Sequence, residues 1–134
     1  MHYIRTAEAM ARALETPLEP ELHKILAEHQ ERLAGYYGFS FEELAEFLII
    51  GRGDTLADCE HTYGRQLIEN GTFVMPTELS FRHSIWIEVI FILSDDGFGL
   101  VLLVETGEGT DPSLLSACTQ ALVERENFDP GHDG

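Results

Sequence analysis

Residues 85–105 read IWIEVIFILSDDGFGLVLLVE, and this stretch decides the fold. A period of two sorts its first half into two faces. Ile85, Ile87, Val89, Phe91 and Leu93 fall on one side; Trp86, Ile90 and Ile92 fall on the other, together with Glu88. The pattern returns after Asp95-Asp96-Gly97, with Phe98, Leu100, Leu102 and Val104 on one face and Val101 and Leu103 on the other. Asp-Asp-Gly is turn chemistry, because glycine takes positive φ without a steric penalty. The reading is an antiparallel β-hairpin over residues 80–105, its first strand drawn from the strand signal of residues 78–94. Both faces of this hairpin are largely apolar, whereas an antiparallel sheet on a small protein commonly turns one polar face to water. The second face therefore needs a cover, either helices of the same chain or a second copy in a homodimer.

Helical signals flank the hairpin. Residues 6–14 suit a short helix capped by Thr6. Thr16-Pro17-Leu18-Glu19 offers a capping hydroxyl, a proline at the first helical position and a carboxylate at the third. Leu18, Leu22, Ile25, Leu26, His29 and Leu33 then form one apolar stripe down to Gly35, with His29 as a hydrogen-bonded residue at its edge. Glu28 and Arg32 are spaced for an i,i+4 ion pair on the solvated side. A second capping box, Ser40 to Glu43, predicts a helix through Leu44, Phe47, Leu48 and Ile50, ended by Gly51 and Gly53. Asp54 or Thr55 starts the next helix, expected to run to about Glu69 with Gly64 inside it and Gly71 just past its end. Residues 72–75 suit a short strand stopped by Pro76. Asp111 and Pro112 open a final helix with Leu114, Leu115, Cys118, Ala121 and Leu122 inward. The expected class is α+β, with several N-terminal helices, a central antiparallel β-hairpin in a small sheet, and a C-terminal helix. Residues 1–126 are read as one globular domain and residues 127–134 as a flexible tail.

The 134 residues carry 24 acidic and 8 basic side chains, a formal net charge of −16. A hydrophobic fraction of 44% supplies a core, so this acidity does not imply disorder. The charge is uneven: residues 95–134 hold 9 acids against Arg125 alone. Such a field opposes direct binding to nucleic acid and to anionic membranes, and it favours a basic protein. Solubility accounts for the same charge. No apolar run approaches the roughly 20 residues that span a bilayer. The first residues lack the apolar segment of a signal peptide, which places the chain in the cytoplasm.

The chemistry-bearing residues are few. No phosphate loop, dinucleotide fingerprint, nucleophile elbow or zinc-protease motif occurs, and no cofactor is expected. Gly51-Arg52-Gly53-Asp54 suits a helix-linking turn, or an anion held by free amides at a helix start. Asp58, Cys59 and His61 form the densest polar cluster, and His83 lies on the strand leading into Trp86. Cys59 paired with His61 or His83 would be a nucleophile and base. On a helix, however, Cys59 and His61 do not face each other, and Cys59 falls with Leu56 and Tyr63 on the inward side. Trp86 and Ile90 are the better candidates for an interface, followed by the aromatic group Tyr36, Tyr37, Phe39 and Phe41 around a glycine break. These features favour a small acidic protein-interaction module, an adaptor, chaperone or inhibitor of a basic protein. The alternative is a small metal-dependent or cysteine/histidine hydrolase.

Overall fold

The computed structural model describes residues 1–36, 38–93 and 98–127. Tyr37, the Asp95-Asp96-Gly97 turn and the tail beyond Asn127 lie outside the described residues. The elements in chain order are β1 (His2–Ile4), α1 (Ala7–Glu15), α2 (Pro20–Ala34), α3 (Phe41–Leu44), β2 (Ala45–Ile50), α4 (Leu56–Tyr63), β3 (Ile68–Glu69), β4 (Thr72–Phe73), β5 (Thr77–His83), β6 (Trp86–Ile92), β7 (Gly99–Glu105) and α5 (Pro112–Asn127). They make a mixed α+β structure. Its main sheet has the order β1-β2-β7-β6-β5, and β3 and β4 form a small ribbon of their own.

The two apolar runs of the opening stretch pair with each other as strands. β6 and β7 pair antiparallel with Ile87 opposite Val104, Val89 opposite Leu102 and Phe91 opposite Leu100. The two faces sort as the alternation requires. Ile87, Val89, Phe91, Leu100, Leu102 and Val104 join the core beneath α4 and α5, whereas Trp86, Val101 and Leu103 join the core beneath α1 and α2. Helices of the same chain thus cover most of the second face.

Three expectations are corrected. First, residues 45–50 are strand, and the helix opened at Ser40 lasts only from Phe41 to Leu44. β2 runs parallel to β7, with Phe47 opposite Val101 and Ile49 opposite Leu103, so the sheet is mixed rather than antiparallel. A strand buried on both faces reads as a continuous apolar run, and Leu44, Phe47, Leu48 and Ile50 match helical spacing only by coincidence. Second, the strand signal over residues 78–94 is divided between two strands folded back at Ser84 and Ile85, with His83 opposite Trp86. Ser84 takes a φ of 51°, which permits the tight reversal. Third, α4 stops at Gly64, whose φ of 84° makes it the left-handed C-cap and not an interior residue. Asn70 and Gly71, with φ of 53° and 81°, then form the two-residue turn between β3 and β4.

Helix α2 starts later than its capping signal suggested. Glu19 is the cap, accepting from the amides of Glu21 and Leu22 at 3.2 and 3.1 Å, with Pro20 at the first helical position. Thr16 instead closes α1 and donates to the Ala13 carbonyl at 2.7 Å. Leu22, Ile25, Leu26 and His29 are buried, which fixes the face that α2 turns to the sheet.

Candidate functional site

The face of the sheet under α2 contains a buried polar chain. Alternation along β6 places Glu88 on the same face as Trp86 and Ile90, and its carboxylate is almost fully covered. Glu88 Oε2 lies 2.6 Å from Nε2 of His29 on α2, and Oε1 lies 2.8 Å from Nε2 of His83 on β5. The Arg32 guanidinium, one helical turn after His29, contacts His29 Nδ1. Arginine only donates, so His29 Nδ1 accepts and His29 Nε2–H donates to Glu88. Burial alone would raise the Glu88 carboxyl above its ordinary range. The hydrogen bonds that Glu88 accepts from His29 and His83 outweigh that and hold it below the ordinary value of 4.5. A second anchor lies at the start of α2, where Trp86 Nε1–H donates to Glu19 Oε2 at 2.8 Å. The Trp86 contact, with two backbone amides, lowers the Glu19 carboxyl. Two carboxylate hydrogen bonds therefore hold α2 against β6.

Beyond Glu88 the sheet face is not fully covered. A groove of about 430 Å³ lies between the end of α2 and strands β5 and β6, lined by Leu33, Phe39, Phe47, Ile90, Ile92 and Val101 among others. A second hollow of about 360 Å³ adjoins it, sharing His29, Arg32, Leu79 and Ile90 and adding Glu28, His83 and Glu88. Four large apolar side chains on the first groove stand open to solvent: Tyr36 at 52%, Phe39 at 54%, Leu79 at 39% and Ile92 at 45% exposure. Scattered exposed apolar residues are ordinary, but a group around one depression marks a recognition surface.

The sequence-derived candidates separate on the structure. Trp86 is buried in the core beneath α2 and offers no surface to a partner. Ile90 is half-buried on the groove, and Tyr36 stands at its rim; Tyr37 lies outside the described residues. Asp58 and His61 are exposed on α4, while Cys59 is buried there. Burial pushes the Cys59 thiol up to about 12, and carboxylates nearby act in the same direction. The inner side of α4 packs on the opposite sheet face from the one that holds His83 and Glu88. His61 and His83 therefore do not meet, and Cys59 has neither histidine as a base. Gly51–Asp54 is a turn: Asp54 Oδ2 accepts from the Gly51 amide at 2.8 Å, and Glu105 Oε1 accepts from the Arg52 amide at 3.2 Å. The Gly53 and Asp54 amides donate to the Gly109 and Gly51 carbonyls, so the amides offered to an anion are already bonded within the chain. Arg32 turns to His29 rather than to Glu28, and no Glu28–Arg32 ion pair occurs among the described residues. Among the described residues no group of three or more His, Cys, Asp and Glu side chains is arranged to hold a metal ion. No helix among them is long and apolar enough to cross a membrane.

Sequence reasoning did not give Glu88, His29 and Leu79 their places at the site. Glu88 left a signal, as the only charge within an apolar strand run, but its partner His29 is 59 residues away. No protein-family model, curated protein or solved structure matches the chain. The fold and site define the class: a layered α+β domain with an apolar groove beside a buried histidine–carboxylate chain.

Proposed function

We propose that the chain is a small acidic protein-interaction module of the cytoplasm, acting on a basic protein as adaptor, chaperone or inhibitor. The observation that supports this reading is the uncompensated acidic surface. Among the described residues the ion pairs are the Met1 ammonium with Asp54 and Arg5 with Glu46 at 4.0 Å, and Glu88 is hydrogen-bonded to two histidines. Glu8, Glu15, Glu28, Glu31, Glu43 and Glu69 are exposed and belong to none of these pairs. A surface of unpaired carboxylates steers cationic partners and repels nucleic acid and anionic lipid.

The test is fluorescence anisotropy with a labelled lysine-rich peptide at two ionic strengths. Below about 0.05 M salt the peptide binds; near 0.5 M the Debye length falls to a few ångström and binding weakens more than tenfold. Absence of binding at low salt would refute the reading.

A further inference from the structure

We infer that the groove beside α2 is the docking site for a basic amphipathic helix of the partner protein. This rests on the acidic-module reading above and adds to it a place and a shape. On one side of the sheet, α4 and α5 pack over the core of β2, β6 and β7. On the other side, α1 and α2 cover Phe47, Ile49, Val101 and Leu103 but leave the strip formed by Leu79, Ile90 and Ile92. An exposed apolar sheet strip beside an existing helix is where one more helix completes a layer. Tyr36 and Phe39, both more than half exposed, rise at the end of α2 and close the groove.

Charge selects the occupant. Glu78 lines the groove, and Glu28 lines the hollow that continues it. Arg32 is the one lysine or arginine among the described residues of either lining and keeps its charge beside His29, set against the three carboxylates of Glu28, Glu78 and Glu88. The chain as a whole carries −16, which opposes a second copy in the same place. A helix with aliphatic or aromatic anchors at i, i+3, i+4 and i+7 fills such a groove, and lysine or arginine on its flanks meets the surrounding carboxylates.

Two peptides of identical lysine, leucine and tryptophan composition separate the claims. One is patterned as an amphipathic helix and the other is scrambled so that it has no apolar face. Each is titrated by calorimetry into the full chain and into Leu79→Asp, Ile92→Asp and Tyr36→Ala/Phe39→Ala variants, with circular dichroism recorded for every variant. All these substitutions are at solvent-exposed positions, and the double alanine variant keeps the test available should an aspartate variant fail to fold. The expected result is at least tenfold tighter binding of the patterned peptide, with that advantage lost in the groove variants. Equal binding of both peptides that the variants leave unchanged would overturn the groove while leaving the acidic module standing. Binding of neither peptide would overturn both. A dimer in light scattering that Ile92→Asp dissociates would assign the groove to a second copy and overturn the helix.

Discussion

Glu88→Ala should be among the most destabilising single changes to this chain, and the structure sets its size. The substitution removes the acceptor of His29 Nε2–H, and the His29 side chain is only 7% exposed. A buried donor left without a partner costs about 1–3 kcal/mol. His83 is 33% exposed, so water can replace its lost bond at little cost. Arg32 meanwhile continues to bond His29 Nδ1, so that ring cannot turn its lone pair to the vacancy. With the lost charge-assisted bond and the space left by the side chain, the total is about 3–4 kcal/mol. For a domain of this size that lowers Tm by about 10 °C. Glu88→Gln is the informative companion. Its amide oxygen can accept from His29, and its amino group can face His83, which is free to exchange tautomer. The expected cost is about 1 kcal/mol. Urea unfolding followed by the fluorescence of Trp86 measures both, because that indole is buried on the same face. Alanine and glutamine variants equally stable, or Glu88→Ala within about 0.5 kcal/mol of the parent, would refute the hydrogen-bonded chain.

Other outcomes follow from single contacts. The Glu88 and Glu19 carboxyls lie below their ordinary value of 4.5 in the folded chain, so their stabilisation is complete above that pH and disappears as pH falls through the lowered folded values; acid unfolding curves should show the difference between the parent and Glu88→Gln narrowing below about pH 4, and a constant difference would contradict it. Gly99→Ala should cost about 1–3 kcal/mol in urea, because its new Cβ would sit 2.8 Å from the Phe91 carbonyl oxygen, and a neutral result would show that β6 and β7 can yield there. Burial pushes the thiols of Cys59 and Cys118 up to about 12, so a disulfide reagent at about pH 8 should label neither in the native state and both in denaturant. Fast native labelling of either would show that its core opens. Glu19→Gln should keep the cap of α2 but weaken the bond from Trp86, moving the indole emission more than the circular dichroism.

Much of this architecture is legible wherever the pattern is local. The β6–β7 pairing follows from two apolar, β-branched runs on either side of turn-forming Asp95-Asp96-Gly97, and the stripe of α2 from apolar residues three and four apart. Failures occur where pairing is distant or the pattern is degenerate. β1 has three residues, too few for any period, and is held by Tyr3 opposite Leu48. β2 is buried on both faces and lacks alternation, and its parallel partner β7 is more than 50 residues away. Gly64 resembled a costly interior glycine because only its backbone angle shows that it ends the helix. The site follows the same rule. Tyr36 and Ile90 were readable as surface candidates, whereas Trp86 was drawn into the core by α2, an element 52 residues before it in the chain. The Glu88 chain needs β6, β5 and α2 together, and no window of sequence contains all three.

The most direct measurement is a ¹H–¹⁵N correlation spectrum of the chain titrated with the patterned basic peptide. The predicted shifts are contiguous, covering the end of α2, Tyr36, Phe39, and the amides of Leu79, Ile90 and Ile92, with α4 and the turn at Gly51–Asp54 unmoved. Shifts spread evenly over the carboxylate surface, or centred on α4, would contradict the docking groove.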